Sequence, residues 1–192
     1  MSKPNTGITN SPFIGLQNFH IAKLMEDPAN GTATYEEVIS IPHVREIGIK
    51  PQSAMATLYA DDQAVDTANT TSEYELTIGT ATLPLEYKAY LLGHAIENGQ
   101  MTVTKDDVAP YFAVMFESNK RNGKKRFCKF YKVQFSEPEE TSQTKGDNIQ
   151  YNTPSLTAKA IYRTADGKAY SQADEEAVGF TEETKTAWYG EV

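Results

Sequence analysis

One cysteine, one tryptophan and three histidines in 192 residues leave little material for a redox, metal or nucleophilic centre. A lone Cys128 excludes an internal disulfide framework and fits a reducing compartment. No stretch approaches the ~18 consecutive apolar residues of a membrane-spanning helix, so membrane insertion is not expected. The N-terminal Met1-Ser2-Lys3-Pro4-Asn5 lacks the apolar run of a signal peptide. His20, His43 and His94 lie far apart, and none has a second His or Cys at metal-ligand spacing. No phosphate-cradling glycine loop or nucleophile elbow is present, and no cofactor is expected. Asp61-Asp62 and Asp106-Asp107 are adjacent pairs; neighbours on a strand point to opposite faces, so neither makes an acid–base dyad. Asp106-Asp107 precedes a strand and can belong to a turn. The sequence reads as that of a protein that is not an enzyme.

What it has is β-forming material. Eleven Tyr and eight Phe favour strands, because aromatic side chains fit a pleated, half-buried surface. The length suits a single domain over 1–192. Mean hydropathy is −0.53, so the core is modest and much of the surface polar. Residues 1–18, rich in Asn, Thr, Pro and Gly, read as a flexible arm whose end, with Phe13, Ile14 and Leu16, anchors or begins a strand. One or two strands are expected over 35–50, broken near Pro42, and a short one over 54–59. The polar run 60–73 reads as a long exposed loop before a half-buried strand at Tyr74, Leu76 and Ile78. One helix is expected over 84–93: Pro84 suits its first turn, Leu85, Ala89 and Leu92 share a face, and Gly93 ends it.

A hairpin follows, with Asn122-Gly123 favouring a type I′ turn between a strand from Tyr111 and one running to Phe135. In the return strand Phe127, Lys129, Tyr131, Val133 and Phe135 share one face, and Arg126, Cys128, Phe130, Lys132 and Gln134 the other. Aromatics on both faces imply that both are partly covered. The polar segment 137–147 reads as an exposed connector. A second hairpin is expected to turn at Asp166-Gly167, joining 156–163 to a strand near 169–171. The element order is that of a mainly β fold, a β-sandwich or barrel with one flanking α-helix and extended arms or loops.

The net charge of −8 is unevenly spread. An acidic C-terminal extension over 171–192 contrasts with 119–132, which holds seven bases and no acid. Opposite patches can pair between copies, or can simply be solvated surfaces. A nucleic-acid reading of the basic, aromatic hairpin is disfavoured by the acidic total. Candidate contacts between subunits are Asp61, Asp62 and Asp66 in the polar run, and Lys120, Arg121, Lys124, Lys125 and Arg126 at the hairpin tip.

Seven segments, in order, carry a resemblance. They are Ala56-Thr57-Leu58-Tyr59-Ala60-Asp61-Asp62, Leu83-Pro84-Leu85-Glu86, Leu91-Leu92-Gly93-His94, Asp106-Asp107-Val108-Ala109-Pro110-Tyr111, Phe135-Ser136-Glu137-Pro138, Thr144-Lys145-Gly146-Asp147 and Thr153-Pro154-Ser155-Leu156. Together they are similar to segments of the major tail proteins of siphoviruses and prophages, over roughly residues 35–170. The resemblance implies a virion protein of the viral tail, assembled in the host bacterial cytoplasm. It implies self-association as hexameric rings stacked into a tail tube, with a tape-measure protein and a tail terminator as partners and transient passage of DNA. The alternative is a carbohydrate- or receptor-binding β-sandwich module of a phage tail or cell surface.

Overall fold

The computed structural model describes residues 11–60, 63–140, 144 and 153–190. Among these, nine strands share one mixed-length antiparallel sheet that does not close on itself. Its centre is the hairpin of β8 (Tyr111–Lys120) and β9 (Lys125–Phe135). β1 (Phe13–Glu26) pairs with β8 and carries two short strands, β2 (Thr34–Tyr35) and β3 (Ile39–Ser40), on its other edge. On the far side β9 pairs with β10 (Ser155–Ala160), then come β5 (Gln63–Thr80) and, as the terminal strand, β4 (Val44–Ala60). A separate hairpin joins β6 (Ala95–Glu97) to β7 (Gln100–Thr102). The break expected near Pro42 separates β3 from β4, where His43 takes a φ of 66°.

The sheet curves so that two of its wings share one core. Phe19 and Ile21 of β1, Phe112, Val114 and Phe116 of β8 and Phe130 of β9 meet Leu76 and Ile78 of β5 and Leu156 and Ala158 of β10. β10 shows the alternation of a strand with one wet face: Leu156, Ala158 and Ala160 are buried, Ser155, Thr157 and Lys159 exposed. The helix α1 (Leu85–Leu92) caps this core, burying Ala89, Leu91 and Leu92 and setting Tyr90 edge-on to Phe112 at 5.3 Å. Leu85, expected on its apolar stripe, is exposed instead. Tyr87 and Tyr90 pack in its stead.

The opposite face of β1, β8 and β9 is also covered. Ala22, Ala113 and Met115 lie beneath Tyr35, Val38 and Tyr189. The C-terminal segment supplies most of that cover: β11 (Tyr170–Asp174) joins the edge of β9, and a second helix, α2 (Glu182–Ala187), follows. Phe180 and Trp188 flank α2 and stand 5.9 Å and 5.8 Å from Phe127. The sequence reading had not anticipated α2. Its signal is nevertheless there, since Thr181 accepts the Thr184 N–H as N-cap and Glu182 and Glu183 occupy the first turn.

Four expectations need correction. The described residues of the polar run 60–73, namely 60 and 63–73, form no loop: β4 and β5 pair from Val44 and Thr80 out to Ala60 and Gln63. Small side chains and Thr hid the strand, because a ribbon wet on both faces shows no hydrophobic alternation. The Asn122-Gly123 turn is not type I′. Only Gly123 has positive φ (81°), the Gly123 N–H bonds Lys120 O, and the Lys120 N–H bonds Lys124 O, giving a type I turn with a glycine bulge. The two-residue turn with both residues left-handed is Asn98-Gly99, between β6 and β7.

Third, β10 and β11 do not form a hairpin around Asp166-Gly167. Both run antiparallel to β9, end to end along its edge, at Val133–Phe135 and Arg126–Phe130 respectively. Fourth, the faces of β9 are not continuous. Val114 pairs with Phe130 but Phe112 with Val133, so a bulge at Tyr131 and Lys132 shifts the alternation. Cys128, Phe130, Val133 and Phe135 therefore share the main core, while Phe127 faces the C-terminal segment. Of the arm expected over 1–18, residues 13–18 lie in β1, and 1–10 fall outside the described residues.

Two glycines give a controlled test of this packing. Gly93 ends α1 with φ 75°, and a Cβ there would lie 2.4 Å from the Val108 carbonyl oxygen. Gly123 is equally left-handed but has nothing within 4 Å. Urea denaturation should show Gly123→Ala costing only the backbone term, about 1–2 kcal/mol. Gly93→Ala should cost clearly more, and equal midpoints would contradict the described approach of α1 to the 103–110 segment.

Candidate assembly surfaces and the His94 clamp

Three of the five cations proposed as contacts at the hairpin tip are engaged within the chain. The Lys120 side chain is fully buried and its ammonium donates to Asp174 Oδ1 at 2.6 Å and to Glu176 Oε2. Burial alone would lower the Lys120 pKa, but those two hydrogen bonds outweigh it and raise it. Arg126 donates to Asp174 Oδ2 at 2.8 Å and stacks over Phe13, 4.6 Å from its ring centre. Lys125 bonds Glu117 Oε2 at 2.8 Å through its ammonium and Glu175 through its backbone N–H. The acidic C-terminal segment thus lies on the basic tip of its own subunit, so much of the charge opposition is spent internally. Arg121 and Lys124 remain exposed.

The second surface is the distal half of the β4–β5 hairpin. Residues 51 and 53–57 of one strand and 66–70 of the other are exposed, with Met55 73% accessible. From Gln52 to Thr57 and from Thr67 to Ser72 there is no charged side chain. Ser53 pairs with Thr71, Ala54 with Thr70, Met55 with Asn69 and Ala56 with Ala68. Asp66 is exposed and caps the Thr67 N–H; Asp61 and Asp62 lie outside the described residues. A two-stranded ribbon of this kind has no core of its own and gains little stability alone.

The titratable groups that could do chemistry are committed elsewhere. Burial pushes the Cys128 thiol up to about 12, far from a reactive thiolate. His20 Nδ1 meets the Asn18 carbonyl, and its ring packs on Tyr189; His43 sits exposed at the start of β4. His94 is the exception in its surroundings. Its ring is 6% exposed, with Nδ1 2.6 Å from Asp107 Oδ2 and Nε2 2.5 Å from Glu137 Oε1. Both ring nitrogens are engaged, which leaves no lone pair for a general base or a metal ligand. Asp107 is fixed by the Thr104 N–H at 3.0 Å and the Thr104 hydroxyl at 2.5 Å, and these bonds, with His94, bring its pKa down to about 2. Asp106-Asp107 belongs to a turn before β8, as its sequence allowed.

A further polar cluster was invisible in the sequence. Arg163 donates to both Asp166 oxygens, donates to Tyr35 Oη at 3.0 Å and stacks over Tyr131 at 4.3 Å. Asp27 accepts from the Thr164 and Ala165 N–H groups and from Lys132. Burial works against the Asp27 charge, yet these bonds hold its carboxyl well below the usual range. The cluster pins the 161–168 excursion over the β9 bulge. The links that Tyr35 and Asp27 make to it span more than a hundred residues, so no local pattern marks them.

The described surface is therefore one of edges, ribbons and internal clamps, with Cys128, His94 and Asp107 held in structural contacts. No curated protein matches the chain. A cryo-EM structure of the anti-feeding prophage cap, the AFP tube terminating cap, is similar with a TM-score of 0.43 at 8% identity, covering 91% of this chain and 95% of that one. The family described as phage tail tube protein matches residues 50–188, which includes the exposed ribbon, α1, the central hairpin and the C-terminal cover. With that match spanning well over half of its length, the chain belongs to the phage tail tube protein family and is a structural protein of a phage tail.

Proposed function

We propose that the protein polymerises with copies of itself as hexameric rings stacked into a tail tube, a non-enzymatic conduit for DNA ejection. The observation that carries this reading is the stretch of the β4–β5 ribbon over 52–57 and 67–72, free of charge, exposed over 53–57 and 67–70 and continuous with an open sheet edge. An exposed strand edge presents unpaired N–H and C=O groups, and monomeric proteins usually blunt such edges with charge. Here the distal ribbon carries none between Gln52 and Thr57. Burial between copies would satisfy the edge and give the ribbon the packing that it lacks. A ring closes because each subunit offers one edge and accepts another.

The charge fits the same use. Six copies at −8 each make a strongly negative ring, and phosphate passing through such a wall is repelled rather than held. With Lys120, Lys125 and Arg126 neutralised inside the subunit, Arg121, Lys124 and Asp66 are the proposed contact residues still open to a neighbour. The tape-measure protein and tail terminator are the remaining partners of this reading, with assembly in the host cytoplasm.

Replacing residues 54–70 by Asn-Gly, to close a short hairpin between the paired Ser53 and Thr71, should leave a folded subunit. Negative-stain images should then show no tubes where the full chain forms them; tubes of normal diameter and length would overturn the role of the ribbon. Reversing Arg121 and Lys124 to Glu should leave thermal stability within ~0.5 kcal/mol of the parent, as expected of exposed positions. It should weaken polymerisation at low salt and much less at high salt. Salt-independent, undiminished assembly would remove the tip from the interface.

A further inference from the structure

Three of the seven segments on which the sequence resemblance rests meet at one point in space. Leu91-Leu92-Gly93-His94 ends α1, Asp106-Asp107 turns before β8, and Phe135-Ser136-Glu137-Pro138 leaves β9. Their meeting point is the His94 ring, held between Asp107 and Glu137. Neither the fold nor tube formation as proposed above accounts for a histidine placed between two carboxylates.

The hydrogen-bond count decides the protonation state. Two ionised carboxylates accept and cannot donate, so satisfying both requires two N–H donors, and only the imidazolium has them. A neutral ring would turn a lone pair toward one of the carboxylates. The two arms are unequal. Asp107 is anchored by the Thr104 N–H and hydroxyl, and its side chain is 15% exposed. Glu137 is 53% exposed and sits on the connector 136–140. When the ring gives its proton to water, the remaining N–H stays with the anchored Asp107, and the Glu137 arm is the one that breaks. The charged groups around the ring complete the picture. Lys88 of α1 bonds Glu140 at 2.8 Å and lies 3.9 Å from Glu137, a second tie that does not pass through the ring.

We propose that His94 is a proton-operated latch, which in its doubly bonded form holds the connector 136–140 against the end of α1 and on deprotonation releases the Glu137 arm while Lys88 keeps Glu140 tethered. The sign follows from the partners. Burial disfavours the charged ring, but the bonds to Glu137 and Asp107 outweigh it and raise the folded pKa above the ordinary value. The latch therefore contributes its full stability below the unfolded pKa, ~6.5. That contribution is lost as pH rises through the higher folded value. The connector is then firmly seated below the unfolded pKa and loosened as pH rises through the folded value.

Ring ¹⁵N NMR on the full chain reads the latch directly. Below its titration midpoint both His94 nitrogens should be protonated, and that midpoint should lie above that of a free histidine. Amide exchange at Glu137, Glu139 and Glu140, corrected for intrinsic rates, should accelerate roughly tenfold as pH passes that midpoint, the loss of one charge-assisted bond. In Glu137→Gln, which preserves shape, the midpoint should fall and the connector's exchange should no longer change across it. A midpoint at or below that of a free histidine, or equal connector protection on both sides of the midpoint, would overturn the proposal. So would a Glu137→Gln variant that titrates as the parent does.

Discussion

The β8–β9 hairpin is the constraint from which the rest of the subunit follows, because it is buried on both faces and both edges. β8 holds a run of buried residues from Phe112 to Phe116, and β9 accepts β10 and β11 in succession along one edge. A strand in that position cannot use simple alternation, since each residue faces either the main core or the C-terminal cover. The bulge at Tyr131 and Lys132 reconciles the two demands by shifting the phase midway. It also opens the edge where the chain leaves β10 and returns as β11. The Tyr131 N–H bonds Ala169 O and the Ile161 N–H bonds Lys132 O, so both find partners in the excursion, while the Tyr131 carbonyl accepts the Tyr35 hydroxyl.

The legible part of this arrangement was what depends on local chemistry. α1 was readable because Pro84 and Gly93 bracket it and its apolar residues recur at helical spacing; Gly93 indeed turns left-handed. The covering of both faces of β9 was readable from Phe127, Phe130 and Tyr131 lying on opposite faces. What failed, failed for physical reasons. A bulge leaves no mark in composition, so the register beyond Lys132 could not be read. The Asn-Gly rule named the wrong turn. Lys124 O bonding back to Lys120 N makes a loop one residue longer than a type I′ hairpin allows, whereas Glu97 and Gln100 pair directly across Asn98-Gly99.

The candidate surfaces show the same division. That 61–71 is polar and unusual was plain, but a ribbon exposed on both sides and a loop look alike in sequence, and only cross-strand pairing tells them apart. The opposed charge patches were equally plain, and pairing between copies was one natural reading. Within one chain, however, Asp174 and Glu176 are delivered to Lys120 by β11, whose register on β9 sets Asp174 opposite Arg126. Intramolecular delivery wins because the partners are already at high local concentration, and a neighbour's acids would have to displace a buried pair.

That internal settlement sharpens what is left for association. With Lys120, Lys125 and Arg126 paired internally, the attraction left to the tip rests on Arg121 and Lys124. In the proposed assembly most specificity comes from shape and backbone pairing. The ribbon suits that role, since Ala, Ser, Thr and Asn offer close approach and hydrogen bonds without a desolvation cost for charge. A net −8 on each copy adds a modest repulsion that short-range pairing must exceed. Subunits that repel at a distance and pair only on contact remain dispersed at low concentration and join only in the correct register. In the proposed assembly, the charge-free stretches 52–57 and 67–72 on an otherwise acidic body would favour an ordered polymer over an aggregate.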